Sequence, residues 1–543
     1  MPDTHAVTNQ VPPLRDHNPA TSPVLIEALI REGGEWGLDE VTELGAIAGG
    51  DTARRWGDLA ERNRPVLHTH DRYGHRIDEI EYDPAYHDLM RTAISHGLHA
   101  APWADDRPGA HVVRAAKMGV WTPEPGHVCP ISMTYAVVPA LRHNPELAAI
   151  YEPLLASREY DPELTVPATK VGITAGMSMT EKQGGSDVRA NTTEAVPEAD
   201  GTYRLTGHKW FTSAAMSDVF LVLAQAPGGL SCFLLPRVLP DGSRNRMLLQ
   251  RLKNKLGNHA NASSEVEYDG AVAWLVGEEG RGVATIIEMV NLTRLDCTLG
   301  SATSMRQGLT HAIHHAQHRK AFGDYLLDAP LMRNVLADLA VEAEAATIIA
   351  MRMAGATDAA VRGDEREALL RRIGLAAAKY WVCKRATPHA AEAMECLGGN
   401  GYAEDSAMPR LYREAPLMGI WEGSGNVSAL DTLRAMATRP ECVEVLFDEL
   451  DVTDNHDARL DRHVESLRSS LKDATTLEYR ARSVAEDLCL ALQGSLLVRH
   501  GHPAVTEAFL ATRMTGGDWG GAFGTLPAGL DLAPILERAV VKA

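Results

Sequence analysis

The stretch VFLVLAQAPGGLSCFLLPRV, residues 219–238, consists of two apolar runs joined by Pro-Gly-Gly. Short runs of β-branched, aromatic and other apolar residues bounded by Gly and Pro turns are typical of paired β-strands. Similar runs occur nearby in TYRLTGHKWFTS (202–213) and SSEVEYDGAVAWLV (263–276). We therefore predict a small antiparallel β domain over residues 166–282.

Helical patterns flank this region on both sides. We predict an N-terminal helical domain with an extended, proline-containing arm over residues 1–165. A second helical domain is predicted over residues 283–440, with a break at GATD (355–358). One face of a helix in this domain carries Leu331, Val335, Leu339 and Glu342.

An additional C-terminal helical domain is predicted over residues 441–543. Its apolar stripe is formed by Leu460, Val464, Leu467 and Leu471. The stretch TGGDWGGAFGTLPAG (515–529) has the composition of a loop. The order of helices, sheet and further helices is not a βαβ alternation, so a Rossmann fold is not expected. The predicted fold class is mainly α with a central antiparallel β domain.

Composition and charge exclude several classes of protein. The chain of 543 residues has a net charge of −19, which disfavours binding of nucleic acid through clustered Lys and Arg. Its seven dispersed cysteines, without a CxxC pair, fit reduced thiols better than a disulfide frame or a zinc site. The sequence shows neither a signal-peptide pattern at its start nor an apolar run of membrane-spanning length. We expect a cytoplasmic protein without membrane contact.

Three glycine-containing or aromatic stretches are candidates for ligand binding, and each has a simpler interpretation. MSMTEKQGGSDV (177–188) offers backbone N–H groups beside hydroxyls, or is a surface turn. HKWFTS (208–213) offers a ring for stacking, or belongs to the sheet core. ECLGGNGYAED (395–405) allows close approach to the backbone, or simply ends a helix.

A fourth stretch, HRKAFG (318–323), ends a histidine-rich helix. One helical face carries His311, His314, His315 and His318. Four ligands from one helix cannot close a tetrahedron around zinc, so we interpret this face as solvated rather than metal-binding. The guanidinium of Arg319 suits a phosphate.

The fifth stretch, GIWEGSGN (419–426), places Glu422 between apolar residues and a turn of small residues. A carboxylate held in a dry pocket has a raised pKa and becomes a competent base toward a carbon acid. The simpler interpretation is that Glu422 caps the next helix or points to solvent.

Taken together and in this order, these stretches resemble the flavin-dependent acyl-CoA dehydrogenases. The resemblance covers nearly the whole chain and includes GGLSCFLLPR, RKAFG, AMECLGGNGY and PRLYRE. TEKQGGSDV together with WEGSGN is similar to the AidB-like branch of that family. The resemblance implies a helical domain, a β-barrel domain and a four-helix bundle, followed by an extra helical domain.

The resemblance also implies an FAD site. One subunit would contribute Met177, Met179, Thr180, Gly185, Ser186, Phe211, Thr212 and Ser213. A second subunit would reach the same FAD through Arg319, Phe322, Glu395, Gly398 and Gly399. The turn near the base would contribute Trp421, Ser424 and Asn426. Arg294 would contact the substrate.

By the same resemblance, Glu422 is the base that removes the α proton of an acyl-CoA. Other members carry the base just before the arginine that matches Arg294, where this chain has Thr293. The family's usual flavin-facing Trp is Phe211 here, and Glu395 replaces a usual Gln. Pro330 and Arg333 stand where the family commonly has glutamines, which puts adenosine contacts there in doubt.

The partners implied are an acyl-CoA substrate, an electron-transfer flavoprotein and three further copies in a homotetramer. The AidB-like branch also suggests a different function, binding of double-stranded DNA through the extra C-terminal domain. Residues 442–543 contain 10 Lys and Arg against 16 Asp and Glu, a net charge of −6. Only segregation of Arg459, Arg462, Arg468, Arg480 and Arg482 to one face would make this segment a phosphate binder.

Overall fold

The computed structural model describes residues 6–515 and 521–542. The chain forms two compact units: the first comprises Met1–Asp51, His111–Thr122 and Arg294–Ala543, and the second comprises Thr52–Ala110 and Pro123–Thr293. The four domains expected from the sequence divide the chain more finely, and their boundaries stay predictions.

The described residues form helices and strands in the following chain order. They are α1 (Pro23–Arg31), α2 (Leu38–Gly49), α3 (Asp51–Arg62), β1 (Val66–His70), β2 (Arg76–Glu81), α4 (Pro84–Ser95), α5 (Ala110–Val120), α6 (Val128–Leu141), α7 (Pro145–Ala156), β3 (Ala175–Ser178), β4 (Glu194–Pro197), β5 (Tyr203–Thr212), β6 (Val219–Ala226), β7 (Gly229–Pro236), β8 (Met247–Leu252), β9 (Ser264–Val276), α8 (Gly282–His318), β10 (Lys320–Ala321), β11 (Asp324–Tyr325), α9 (Pro330–Val361), α10 (Glu365–Glu395), α11 (Met408–Met418), α12 (Gly425–Thr438), α13 (Glu441–Asp451), α14 (Ala458–Ser470), α15 (Ala481–His500), α16 (Pro503–Arg513) and α17 (Ala533–Ala539). Across the part of the chain that is described, none of these helices is both long and apolar enough to cross a bilayer.

Strands β3 to β9 form one seven-stranded sheet in the second unit. The pairing order is β3-β6-β4-β5-β9-β7, with β8 also paired to β9, and a β6–β7 pairing closes the sheet on itself. This last pair is the hairpin of residues 219–238, in which Ala226 pairs with Gly229 across the Pro227-Gly228 turn. Most pairings are antiparallel, as predicted, whereas β6 lies parallel to β3 and β4.

The continuous apolar runs of this hairpin follow from its burial on both faces. Every residue of 219–224 is buried. Phe220 and Phe233 are completely buried in the interior of the sheet, together with Leu205 and Leu249. A strand that is buried on both faces reads as an unbroken hydrophobic run rather than as an alternation. Each such side chain stabilises the fold by roughly 1.5–3 kcal/mol, so the hairpin is a major part of the core of this unit.

A two-stranded hairpin interrupts the region predicted to be helical. Strands β1 and β2 pair antiparallel, with Val66 opposite Glu81 and His70 opposite Arg76. The expectation of helices is therefore wrong over these residues. The missed signal is the pair of short segments VLHTH and RIDEIE, both with β-branched residues, around a turn that contains Gly74 at φ +84°.

Helix α9 of the first unit runs without interruption, so the predicted break at GATD (355–358) is wrong. A Cβ at Gly355 would lie 2.1 Å from Oε2 and 3.2 Å from Cβ of Glu32, which follows the end of α1. This glycine therefore reflects close packing of the helix against its neighbour rather than a helix end.

The additional C-terminal segment is helical, as predicted. The apolar stripe of α14 is buried at Leu460, Val464 and Leu467, and Leu471 follows as the residue that ends the helix. Residues 521–529 contain neither helix nor strand, in agreement with the predicted loop. Residues 516–520 of that loop lie outside the described residues.

A buried ionic cluster joins this segment to the helices of the bundle. Arg513 of α16 pairs with two carboxylates of α9, Asp338 at 2.6 Å and Glu342 at 3.0 Å. Arg385 of α10 also pairs with Glu342, at 3.2 Å. Burial opposes ionisation of Glu342, but the two arginines lower its pKa to about 2. The helix face predicted on α9 thus ends at the buried, charged Glu342, whereas Leu331 at its start is exposed.

We expect Arg513→Met to lower the Tm and the urea midpoint of the protein substantially. Removing one partner of a buried ion pair typically costs about 3–5 kcal/mol, because the remaining charge stays buried. Arg439→Met is the control, since its side chain is 61% exposed, and we expect it to leave both midpoints unchanged. Equal midpoints for the two variants would contradict this account of the cluster.

Candidate functional site

The stretch around Glu422 forms a strained bend between α11 and α12. Glu422 has φ +55° and Gly423 has φ +103°. A residue other than glycine in this left-handed region costs on the order of 1–2 kcal/mol, and such strain persists only where the surroundings hold the backbone. Ser424 is the N-cap of α12, so Glu422 is not the capping residue of that helix.

Two buried cations hold the bend through its carbonyl groups. Arg294 of α8 donates from Nε to the Glu422 carbonyl at 3.0 Å, and Lys379 of α10 donates from Nζ to the Gly423 carbonyl. Both cations are buried, with 4% and 1% of their surface exposed. Because they come from two different helices, the bend is fixed relative to the bundle of the first unit.

Asp431 completes this network from within α12. It accepts from Arg294 Nη1 at 2.7 Å and from both terminal nitrogens of Arg372, at 2.9 and 3.0 Å. Burial opposes ionisation of Asp431, but the two arginines hold its pKa below the usual value. The carboxylate of Asp431 therefore keeps the side chain of Arg294 in place behind the bend.

The side chain of Glu422 lies in a partly dry environment. Its Oε2 atom is shielded from solvent. Burial raises the pKa of the nearby Cys297 thiol well above its usual value; Lys379 opposes this rise and the charge of Glu422 adds to it. The carboxylate thus lies close enough to a buried, neutral thiol to influence its ionisation.

In the second unit, the stretch 177–193 is anchored by a buried ion pair that the sequence analysis did not identify. Glu181 and Lys209 lie 2.8 Å apart and both side chains are completely buried. Glu181 also accepts from the backbone N–H and hydroxyl groups of Thr192 and Thr193. Burial opposes ionisation of Glu181, but Lys209 and these donors bring its pKa well below the usual value.

This anchor places the predicted flavin-contacting residues of the second unit. Met177 and Met179 are half-buried at the end of β3, and the Met179 carbonyl accepts from Asn191 at 3.0 Å. The backbone N–H of Trp210 donates to the carbonyl of Thr180, at an N···O distance of 2.8 Å. A Cβ at Gly185 would lie 2.5 Å from Thr180 Oγ1, so any larger residue there would require the side chain of Thr180 to shift.

The end of β5 presents one large ring to the surface. Phe211 is 49% exposed, and the ammonium group of Lys253 lies 4.5 Å from the centre of its ring. Thr212 is buried and its hydroxyl bonds to that of Ser178. Ser213 is half-buried and Ser186 is exposed. Of the two aromatic residues in HKWFTS, Phe211 is thus the more exposed, and neither belongs to the sheet core.

The Arg319 hairpin, formed by β10 and β11, presents an exposed aromatic residue. Phe322 is fully exposed and has φ +55°, and Gly323 follows at φ +101°. The N-terminal arm holds this hairpin: the side chain of Asn9 bonds to both the N–H and the carbonyl of Lys320, at 2.8 and 2.9 Å. The Asn9 carbonyl accepts from Arg319. Sequence patterns offered no signal for this contact between segments about 310 residues apart.

The other residues assigned to the cofactor lie on the surface of the first unit. Glu395, Gly398 and Gly399 are exposed at the end of α10. Gly398 has φ +57°, and a Cβ at either glycine would meet no atom within 4 Å. Trp421 is half-buried and Ser424 is exposed. Asn426 accepts from Arg482 of the extra segment at 2.8 Å.

The histidine face of α8 is only partly solvated: His318 is exposed, His311 and His314 are half-buried and His315 is buried. The interpretation as a solvated face is therefore wrong for most of it. Burial lowers the pKa of His311 to about 3, and His315 is buried. His314 bonds to the carbonyl of Pro12 in the arm at 2.8 Å. Packing of the arm on the helix covers part of this face. Over residues 6–515 and 521–542, no group of three or more potential ligands could hold a metal ion.

Sequence patterns missed Lys379, Asp431, Glu181 and Lys209. Lys379 and Asp431 are charged residues within runs that otherwise read as apolar or small, as in AAAKYW (376–381), whereas Glu181 and Lys209 stand beside polar residues. A charge in such a place signals burial with a partner, although the pattern does not identify the partner.

Comparison with known proteins defines the class of this protein. The N-terminal domain of adaptive response protein AidB matches residues 9–162, the middle domain of acyl-CoA dehydrogenases matches residues 176–271, and their C-terminal domain matches residues 280–437. The chain belongs to the acyl-CoA dehydrogenase family, whose members are FAD-dependent oxidoreductases acting on the CH–CH bond of acyl-CoA. Within that family it belongs to the AidB-like branch.

Individual relatives agree with this placement. The chain is 44% identical over 513 residues to "Putative acyl-CoA dehydrogenase AidB" of Escherichia coli (strain K12), covering 93% of this chain and 94% of that protein. It is 32% identical to acyl-CoA dehydrogenase family member 11 of Caenorhabditis elegans, covering 82% and 77%. The crystal structure of C. elegans ACDH-11 in complex with C11-CoA is similar with a TM-score of 0.83 and 29% identity, covering 99% of this chain and 93% of that one.

We expect Lys209→Met to lower the Tm at neutral pH, because Glu181 stays buried without its cation. The pKa of Glu181 in the folded protein lies below its ordinary value of 4.5, so its contribution to stability is present above pH 4.5 and is lost as the pH falls further. The Tm difference between wild type and variant should therefore narrow on acidification. Tm measured against pH tests this, with the exposed Lys182→Met as control. A difference independent of pH would contradict it.

Proposed function

We propose that this protein dehydrogenates an acyl-CoA thioester between its α and β carbons, with Glu422 as the base. The observation that carries the proposal is the Glu422 bend: a carboxylate with one shielded oxygen, on a strained backbone that two buried cations hold in place. Strain that is maintained in this way is characteristic of functional residues.

The two cations bond to the backbone of the bend. The Glu422 carboxylate is not used in these bonds, as the role of a base requires. Arg294 and Lys379 bond to the carbonyls of Glu422 and Gly423. They thereby fix the backbone from which the Glu422 side chain extends, and a fixed geometry favours proton transfer from carbon. A carboxylate shielded from water is in general a stronger base toward a poor carbon acid than a solvated one.

The other position at which the family carries its base cannot serve here. Thr293 is buried and its hydroxyl donates to the carbonyls of Met289 and Val290 in the preceding turn of α8. A hydroxyl without an adjacent base is not a proton acceptor at neutral pH. Glu422 is therefore the assigned base, and Arg294 is assigned the role of positioning it; the predicted contact of Arg294 with substrate stays a prediction.

The residues of the second unit fit the FAD that the family requires. Phe211 offers an exposed flat ring, Thr180 and Ser186 offer hydroxyls, and Gly184 has open space beside its backbone. Bound FAD supplies an acceptor for the hydride that leaves the β carbon. We assign Met177, Met179, Gly185, Thr212 and Ser213 to the same site, as the sequence analysis predicts.

A second copy of the chain would contribute the Arg319 hairpin and the Glu395–Gly399 turn to the FAD of its partner. Phe322 is fully exposed at a left-handed backbone position, and an aromatic side chain in that conformation favours a contact outside its own chain. This supports the homotetramer implied by the family. An electron-transfer flavoprotein as acceptor and a cytoplasmic location remain predictions.

The substrate carrier is proposed to be CoA. The similar C. elegans ACDH-11 was crystallised in complex with C11-CoA. The length and branching of the acyl chain that this protein accepts depend on the packing around the bound substrate.

Binding of double-stranded DNA by the extra segment has less support. Four of its five arginines named above are engaged within the chain: Arg459 with Asp457 and Glu507, Arg468 with Asp451, Arg480 with Asp473, and Arg482 with Asn426. Cations committed to neighbouring carboxylates contribute little to the electrostatic binding of phosphates.

We expect Glu422→Gln to leave FAD bound and to abolish oxidation of acyl-CoA. The amide keeps the size of the side chain but cannot accept the α proton. Anaerobic titration with a panel of acyl-CoAs, followed by bleaching of the flavin absorbance, measures the reaction, and the flavin spectrum measures cofactor content. Glu441→Gln, with its side chain 59% exposed, is the control. Bleaching by the Glu422→Gln variant at the wild-type rate would remove the assignment.

We expect the protein not to shift double-stranded DNA in a gel at moderate ionic strength, because the net charge of the extra segment is negative. A retarded band that weakens steeply with added salt would support the DNA-binding function instead.

A further inference from the structure

A cavity of about 40 Å³ lies within the first unit. Its walls come from the N-terminal arm, the start of α1, the end of α5, the middle of α8, α9, and the end of α17 with the residues that follow it. Arg306 on its wall lies 12 residues after Arg294 on α8, or about 18 Å along the helix axis. The cavity is thus separate from the Glu422 bend.

Arg306 is a half-buried cation without a carboxylate. Its Nη2 donates to the Gly119 carbonyl, while its Nε is shielded from solvent and bonds to no other group of the described chain. Burial alone lowers its pKa to about 10. Among the ion pairs of residues 6–515 and 521–542, none joins Arg306 to an acidic side chain.

A second nitrogen in the same wall is in a similar state. Nδ1 of His17, in the arm, is shielded from solvent and bonds to no group of the described residues. The wall also contains the hydroxyl-bearing residues Ser22, Thr122 and Thr303, beside the apolar Leu309 and Ala343. The cavity therefore combines several hydrogen-bond donors with an apolar side.

The other charges of the wall are already paired. Arg538 lies 3.2 Å from Glu344 and 2.9 Å from Glu27. Elsewhere in this unit, the buried Arg114 pairs with Asp296. A buried charge is normally neutralised in this way, because an isolated one costs several kcal/mol. Arg306 is thus a positive charge of the cavity that the surrounding side chains do not balance.

We propose that this cavity binds a small monocarboxylate, with Arg306 as its cationic ligand. A water molecule needs about 10–15 Å³ by the same measure, so the cavity has room for roughly three waters or for a carboxylate with a short alkyl group. Water would satisfy the donors but not the charge. A monoanion balances the single unpaired cation, its oxygens accept from the donors and its alkyl group faces Leu309 and Ala343.

Thermal unfolding in sodium acetate and in sodium chloride at equal concentration tests the proposal. Acetate should raise the Tm of the wild type in a saturable way, by about 2 °C more than chloride, since a ligand that binds only the folded state stabilises it. Arg306→Gln should abolish this difference. Equal shifts with the two salts, or a difference retained in Arg306→Gln, would overturn the proposal.

Two further variants keep the test decisive. Arg439→Gln, which changes an exposed arginine, should keep the full acetate-specific rise. Arg306→Lys keeps the charge but loses Nε and should reduce the rise by at least half; this variant decides the matter where Arg306→Gln does not fold, and a rise equal to that of the wild type would count against the site.

Discussion

The hydrogen bonds from Arg294 and Lys379 to the carbonyls of Glu422 and Gly423 are the interaction on which the candidate site depends. Without them a glutamate at φ +55° would relax to an ordinary turn. Three helices supply the parts: α8 and α10 provide the cations, and α12 provides Asp431, which holds Arg294. The backbone that carries the Glu422 carboxylate is therefore positioned by the bundle rather than by its own short turn.

The sequence predicted those features that follow from local periodicity. Continuous apolar runs at 219–238 predicted the buried hairpin, and steps of three and four residues predicted the stripe of α14. Prediction from the sequence failed where the role of a residue depends on a contact with a residue distant in the chain. Gly355 was interpreted as a helix break, although it makes room for Glu32. The histidine face of α8 was interpreted as solvated, since nothing in its period reveals that the arm covers part of it.

The same distinction applies to the site. Glu422 and Phe211 could be named from motifs because family resemblance assigns them by position. Lys379 and the Glu181–Lys209 pair could not, because a buried charge has its role only through the group it meets in space. Resemblance also implies a substrate contact for Arg294, which stays a prediction, but it does not reveal the bonds of Arg294 to the Glu422 carbonyl and to Asp431.

The pairing of Arg513 with α9 matters for any experiment on the helical bundle expressed without the C-terminal segment. Asp338 and Glu342 belong to α9, but one of their cations arrives from α16, about 170 residues later in the chain. A fragment that ends before α13 lacks Arg513. Asp338 and Glu342 would then remain buried among apolar side chains, with Arg385 as the arginine of the cluster that is left. The fragment would lose stability around Asp338 and Glu342, or these carboxylates would become protonated, whereas the cluster of the full chain is electrically neutral. Measurements on the fragment would therefore not represent the intact protein.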